Sequence, residues 1–238
     1  MNTSKNKTAR FAGLLYLILV IGGIVNLLYI PSQLIDSKDA SITLENIKDS
    51  ELLFRYGIVS GVITFLTFII LPLVLYKLLN KVNKSHATLM VIFALISVPI
   101  SFINILNKFS ILTLISKKTY LLTMSNIELQ TQVMLHLDYY NNGNQIAQIF
   151  WGLWLLPFGY LVYKSGFLPK ILGVFLMLGC FGYLIEFFAQ FLIPAYNNSI
   201  AQTIVGIPSP IGEIGICLWL LIMGTNKISF EKKADVKT

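Results

Sequence analysis

The sequence is poor in charged residues and in cysteine. Asp, Glu, Lys and Arg together make up 12% of the 238 residues, about half of the ~25% found in average soluble proteins. Hydrophobic residues make up 55%, which places the chain outside the soluble class. Cys180 and Cys217 both lie within hydrophobic stretches and form no Cys-x-x-Cys motif. We therefore expect them to be small core residues rather than a disulfide framework.

Motifs of known catalytic and metal sites are also missing. The sequence has no His-Glu-x-x-His, no Gly-x-x-x-x-Gly-Lys-[Ser/Thr] and no Gly-x-Ser-x-Gly. Its two histidines, His86 and His136, fall in segments predicted below to lie on opposite sides of a membrane. One chain would not bring them to the same metal ion, and neither belongs to a Ser–His–acid relay. We expect no metal and no cofactor.

The sequence instead contains six long hydrophobic stretches separated by short polar loops. At a rise of 1.5 Å per residue, about 20 apolar residues span the ~30 Å hydrocarbon core of a bilayer. The sequence therefore predicts an all-α, polytopic membrane protein with six transmembrane helices in a single integral membrane domain over residues 1–238. The predicted helices cover residues 11–30, 53–79, 86–115, 144–163, 169–193 and 208–226.

Lysine and arginine are concentrated in alternate loops. One side carries twelve bases against two acids, and the other six bases against nine acids. Because Lys and Arg are retained on the cytoplasmic side, both termini are predicted to be cytoplasmic. This distribution makes the bilayer the expected partner and argues against nucleic acid, despite the net charge of +7. The first hydrophobic run exceeds a signal-peptide core of ~7–15 residues, so we interpret it as a retained helix.

Two local signals concern the first helix and the acidic outer loop that follows it. Pro31 and Ser32 are predicted to end the helix. The spacing Thr43-x-x-Asn46 is an imperfect cap signal, and it favours a short helix leading into the second span.

The loop at residues 116–143 contains a further helical pattern at residues 126–140. Charged residues interrupt this pattern, so it is not a spanning helix. It forms either a short helix in the outer interface or an outward extension of the fourth helix. The turn signal Asn141-Asn142-Gly143 favours the interfacial helix.

Three segments resemble a known family. They are IFWGLWLLPFGYLVYKSGFLPKILGVFLMLGCFGYL at residues 149–184, ARFAGLLY at 9–16, and Glu213 followed by LWLL at 218–221. Together they resemble the bacterial membrane family catalogued as domain of unknown function 4386, over nearly the whole chain. The resemblance implies a multi-helix integral membrane protein of bacterial type, and we expect the inner membrane. The family supplies no established activity, so it implies no catalytic residue.

Polar side chains at membrane depth form the candidate site, because such groups are costly in hydrocarbon and are often functional. The topology places four ionisable residues and several amides in the outer half of the bilayer, where two bases and two acids are able to pair. Glu186 shares a helix face with Gln190, and Gln145 shares one with Gln148. The predicted polar layer consists of Arg55, Asn104, Lys108, Gln145, Gln148, Glu186, Gln190 and Glu213, with Asn26 and Asn107 at the same depth.

Aromatic residues mark the predicted membrane boundaries. Trp151 and Trp154 share a helix face further inside and are predicted to be packing residues. Interface anchoring is the expected role of the outer tyrosines, which are Tyr29, Tyr56, Tyr120, Tyr139, Tyr140 and Tyr196.

The polar layer has two interpretations, and three functions follow. It is either functional, as a pocket for a small polar ligand or lipid headgroup or as a proton-coupled site, or structural, as an ion-pair and amide network that orders the bundle. We expect a non-enzymatic binding, sensing or accessory protein. The alternative is a small transporter or channel using Glu186 and Glu213, which with six helices would have to oligomerise. A lipid-modifying enzyme is the weakest hypothesis, because no partner nucleophile or metal serves the general base. The oligomeric state stays open.

Overall fold

The computed structural model describes residues 2–116, 118–121, 123–196 and 199–225, and these ranges are helical apart from short connections. They contain no β-strand, which confirms the all-α prediction. Short 3-10 turns cover Thr119–Leu121 and Pro194–Tyr196. The helices are α1 (Asn2–Ile24), continued by a π turn (Val25–Tyr29) into α2 (Ile30–Leu34), then α3 (Ala40–Asp49), α4 (Glu51–Leu79), α5 (Lys84–Ile115), α6 (Asn126–Leu153), α7 (Leu155–Ser165), α8 (Lys170–Leu192), α9 (Ile200–Gly206) and α10 (Pro208–Ile222).

Six segments built from these helices are long and apolar enough to cross a membrane, which confirms the predicted number. The sixth predicted helix ended at residue 226, which lies outside the described residues, as does the basic C-terminal tail used to predict the orientation. The cytoplasmic position of both termini therefore stays a prediction. The segments are Ser4–Leu34, Glu51–Leu79, Lys84–Ile115, Asn126–Ser165, Lys170–Leu192 and Ile200–Ile222.

The first spanning segment continues past Pro31 to Leu34, so the prediction that Pro31 ends it is wrong. A proline inside a regular helix loses one hydrogen bond, and its ring clashes with the carbonyl four residues earlier. Here a π turn comes first, in which the N–H of Ile30 donates to the carbonyl of Val25, five residues back. Pro31 then occupies the first turn of α2, where a missing N–H costs little.

The preferred interpretation of residues 126–140 is also wrong, because α6 runs unbroken from Asn126 to Leu153 and extends the fourth spanning segment. The Asn141-Asn142-Gly143 signal lies inside this helix rather than at a turn. Gly143 has a packing role instead. A Cβ atom at this position would overlap the Oδ1 atom of Asn104 on α5, so glycine lets the two helices approach closely.

The predicted short helix in the acidic loop is confirmed as α3, with a different cap. The carboxylate of Asp39 accepts hydrogen bonds from the backbone N–H of Ser41 at 2.8 Å and of Ile42 at 3.0 Å. This is the usual way to satisfy free N–H groups at a helix start. Thr43 lies inside the helix, where its hydroxyl donates to the backbone carbonyl of Asp36 at 2.9 Å.

The chain divides into two compact units, each made of separate stretches of sequence. Unit 1 comprises Met1–Ile18, Thr67–Val98 and Ile146–Thr238, and unit 2 comprises Leu19–Leu66 and Pro99–Gln145. The assignment of the whole chain to one domain stays a prediction.

Unit 1 has an aromatic centre and closely packed helices. Trp154 is 1% exposed, and its ring centroid lies 5.9 Å from that of Tyr16, 5.1 Å from Phe68 and 5.2 Å from Phe158. This supports its prediction as a packing residue. Glycine brings α7 and α8 together, since a Cβ atom on Gly159 would lie 2.6 Å from the carbonyl oxygen of Gly173.

Unit 2 combines an apolar core with buried polar groups. Phe54, Leu34 and Leu137 are among its buried apolar side chains. Asn26 and Lys108 are buried as well. Burial of an amine and an amide in an apolar core costs free energy unless both groups are hydrogen-bonded. The hydrogen-bond partners of Asn26 and Lys108 therefore determine this cost.

Candidate functional site

Lys108 is the centre of a polar cluster within unit 2. Its side chain is 4% exposed, and its Nζ donates a hydrogen bond to the side-chain Oδ1 of Asn26 at 2.7 Å. The same Nζ lies 4.2 Å from the centroid of the Tyr140 ring, within cation–π range. The amide of Asn26 donates in turn to the Tyr140 hydroxyl at 3.0 Å. Residues from the π turn, α5 and α6 therefore enclose one amine.

An amide network positions α5 against α6 beside this lysine. Asn104 lies one turn before Lys108 on the same helix face. Its Nδ2 donates to the backbone carbonyl of Tyr140 at 2.8 Å and to the side-chain Oδ1 of Asn144 at 3.0 Å. Asn107 donates to Oδ1 of Asn104 at 3.2 Å. The network fixes the faces of the two helices that carry Lys108 and Tyr140.

A cavity of about 210 Å³ opens beside Lys108 within unit 2. One part of its wall is polar, with Lys108, Tyr140 and two asparagines, and the rest is apolar. No Asp or Glu occurs among the described residues that line it. The apolar lining residues are Leu27, Ile30, Pro31, Leu34, Ile35, Phe54 and Leu137, and the two asparagines are Asn141 and Asn144.

Glu213 forms a second polar centre, within unit 1. The Tyr16 hydroxyl of α1 donates to its Oε2 at 3.1 Å, and the Tyr183 hydroxyl of α8 donates to its Oε1 at 3.3 Å. Small residues position this group. A Cβ atom on Gly212 would lie 2.8 Å from the backbone nitrogen of Leu176, so α10 packs closely on α8 beside Glu213.

The other predicted site residues are distributed as follows. Arg55 forms a salt bridge of 2.6 Å with Glu51 on its own helix, and both side chains are exposed. It is therefore a surface pair, which is worth little energy. Gln145 belongs to unit 2, with Asn104 and Lys108. The remaining predicted residues belong to unit 1 with Glu213, and these are Gln148, Glu186 and Gln190.

Within unit 1, Gln148 and Glu186 lie in different surroundings. The side-chain nitrogen of Gln148 is buried with no hydrogen-bond partner among the described residues. An Oε1 atom of Glu186 lies 3.2 Å from where a Cβ on Gly206 would be. The carboxyl group of Glu186 therefore packs against the junction between α9 and α10.

Four side chains in these two polar centres lie outside the polar layer predicted from the sequence: Tyr140, Asn144, Tyr16 and Tyr183. Tyr140 was assigned to interface anchoring, which is wrong because it is 4% exposed and contacts Lys108. Tyr196, assigned in the same way, is buried too. The spacing of Tyr140 and Asn144 by one helical turn was a usable signal, but only after residues 126–153 had been recognised as one helix.

Comparison with known proteins gives a family and no activity. The family described as Domain of unknown function (DUF4386) matches residues 11–224, in agreement with the resemblance seen in the sequence. A protein of Archaeoglobus fulgidus described as uncharacterized is 34% identical over 79 residues, covering 33% of this chain and 44% of that relative. The chain thus spans less than half the length of this relative. No solved structure matches the chain.

Proposed function

This chain belongs to the family described as Domain of unknown function (DUF4386), and we propose that it is a non-enzymatic binding protein whose cavity beside Lys108 takes the anionic head of a small amphiphile. The observation that carries the proposal is a buried lysine at the polar wall of a cavity whose remaining wall is apolar. Ionisable residues inside membrane segments point to function more often than not.

The charge of the cavity favours an anion. A lysine amine in its ammonium form has three N–H donors. The described contacts give it one oxygen acceptor, from Asn26, and one ring face, from Tyr140. A carboxylate or phosphate oxygen in the cavity would accept a further hydrogen bond and stabilise the ammonium form. The side chains of Asn141 and Asn144 at the same wall supply neutral polar contacts.

The size and lining of the cavity favour a headgroup with an apolar attachment. Sites for drug-sized ligands have volumes of about 300–1,000 Å³, so a cavity of about 210 Å³ is too small for a complete lipid. Its wall of leucine, isoleucine, proline and phenylalanine contacts hydrocarbon without cost. We therefore infer that the head and the first carbons enter while the remaining chain stays outside.

The test uses full-length protein in detergent and four twelve-carbon probes that differ only in their heads. These are dodecanoate, dodecyl phosphate, dodecanol and dodecylammonium, and binding is measured by native mass spectrometry. We expect adducts with one or both anions and none with the alcohol or the amine. The two anionic probes separate a carboxylate ligand from a phosphate ligand.

Two variants assign the binding to Lys108. Lys108→Met keeps an unbranched side chain and removes the charge, and we expect it to lose the anionic adducts. Arg55→Gln removes a positive charge from an exposed pair and should bind like the wild type. Equal binding of the anions by Lys108→Met, or equal binding of dodecanol by the wild type, would refute the proposal. A melting curve for each variant checks the fold.

We also propose that the protein resides in a bacterial inner membrane with both termini in the cytoplasm. The support is the distribution of Lys and Arg, with twelve bases on the assigned inner side against six on the outer. Lipid is then the constant partner of the six apolar segments. Nothing in this charge pattern favours nucleic acid.

A further inference from the structure

The carboxyl group of Glu213 lies in a spanning segment and is held by two phenols. Its two oxygens accept hydrogen bonds from Tyr16 and Tyr183. These donors are neutral, so in the part of the chain that the structure describes the hydrogen-bond partners of this carboxyl supply no compensating positive charge. An intramembrane carboxylate without a cation partner is costly. Protonation would remove that cost.

The site has partners for both protonation states. As a carboxylate, Glu213 accepts both phenol O–H groups at the observed positions. As an acid, Glu213 has one O–H to donate. A phenol oxygen is able to accept this hydrogen bond if the phenol donates its own O–H to another acceptor. Ser209 is a neighbour of Tyr183, and a serine hydroxyl accepts as well as donates. A proton is therefore accommodated by rotation of one hydroxyl, without movement of a helix.

Among the described residues, the titratable groups near this carboxyl are two tyrosines, a cysteine and a glutamate. Tyr16 on α1 and Tyr183 on α8 contact the carboxyl directly. Cys217 follows one turn later on α10, where its Sγ contacts the carbonyl of Gly13 at 3.7 Å. Glu186 on α8 is close enough to interact electrostatically with Tyr183.

We propose that Glu213, Tyr16 and Tyr183 form a proton-binding site that takes up and releases one proton within unit 1. It is separate from the Lys108 cavity and does not depend on the function proposed for it. The carboxyl gains an O–H bond on uptake and loses it on release, with water as the source and the acceptor. Tyr16 connects the site to the aromatic centre, since its ring packs against Trp154 and Phe158.

Infrared difference spectroscopy tests this directly, because a protonated carboxyl has a C=O stretch that a carboxylate lacks. The full-length protein in lipid bilayers is titrated from acid to alkaline pH. Every protonated Asp or Glu contributes to this band, so the Glu213 component is the difference between the wild type and Glu213→Gln. We expect that component to disappear with rising pH. Glu186→Gln, the matched intramembrane carboxyl, should keep it. Tyr183→Phe should keep the band to higher pH, because one donor that stabilises the carboxylate has been removed.

Three results would overturn the proposal. A spectrum unchanged by Glu213→Gln would mean that the group is ionised throughout. A Glu213 band that persists at every pH would mean a permanently neutral structural carboxyl. A titrating band that disappears in Glu186→Gln instead would assign the proton to the other acid. Glutamine nearly matches glutamate in size, and a melting curve for each variant verifies the fold.

Discussion

The side-chain amide of Asn104 occupies the space over Gly143 where any other residue would place its Cβ atom. This contact lets Asn104 reach the backbone carbonyl of Tyr140 and the side chain of Asn144. A glycine on α6 and an asparagine on α5 therefore set the distance between the two helices that carry the Lys108 cluster.

We expect Gly143→Ala to destabilise the protein. The added methyl group would displace the Asn104 amide from its buried partners, at a cost of about 1–3 kcal/mol. Thermal unfolding in detergent measures the loss. Gly23→Ala is the matched control, because a Cβ atom there meets nothing within 4 Å. Alanine is also the better helix former by about 1 kcal/mol. Equal melting temperatures for the two variants would contradict the packing role of Gly143.

Asn26→Leu should also lower stability, because it removes the oxygen that accepts the Lys108 hydrogen bond. Leaving one buried polar group unpaired costs about 1–3 kcal/mol. When Asn26→Leu is combined with Lys108→Met, much of this loss of stability should be absent, because no buried amine then remains. A double-mutant cycle from unfolding curves gives the coupling, expected at about 0.5–3 kcal/mol. Strictly additive effects would mean that the contact contributes nothing.

In unit 1, Gly159→Ala should weaken the packing of α7 on α8. The new Cβ atom would lie 2.6 Å from the carbonyl oxygen of Gly173 and 2.8 Å from the backbone nitrogen of Met177. Backbone atoms cannot rotate away, so the helices must separate, at about 1–3 kcal/mol. The melting temperature should fall below that of the Gly23→Ala control. Retained stability would show that this helix pair is loosely packed.

Cysteine labelling tests the proposed orientation. Ser37 lies in the loop between α2 and α3, Lys81 lies in the loop between α4 and α5, and both are exposed. The native Cys180 and Cys217 are buried. With an impermeant maleimide on intact cells, we expect Ser37→Cys to react and Lys81→Cys to react only after lysis. The reverse pattern would invert the topology, and reaction of both on intact cells would refute the assigned loops.

The lengths of the hydrophobic stretches predicted the number of spanning helices, because hydrophobic length is a property of each segment alone. The site depended on pairings between segments. Lys108 and Asn104 were identified because polar groups at membrane depth are unusual. Tyr140 was not, since a tyrosine near a predicted boundary fits interface anchoring equally well. Local sequence was likewise insufficient to predict the role of Gly143. A glycine after two asparagines indicates a turn in the local sequence, and only the contact with Asn104 shows why it belongs inside a helix.

Because of the π turn at Val25–Tyr29, the position of Asn26 depends on the exact number of residues in the first spanning segment. The π turn holds one residue more than an α-helical turn would, and Asn26 lies within it. Loss of a single residue here would restore a regular helix of nearly unchanged hydropathy. It would also rotate Asn26 by about 100° relative to α2, away from Lys108. Single-residue deletions at this turn are thus expected to preserve membrane insertion and to abolish the polar cluster.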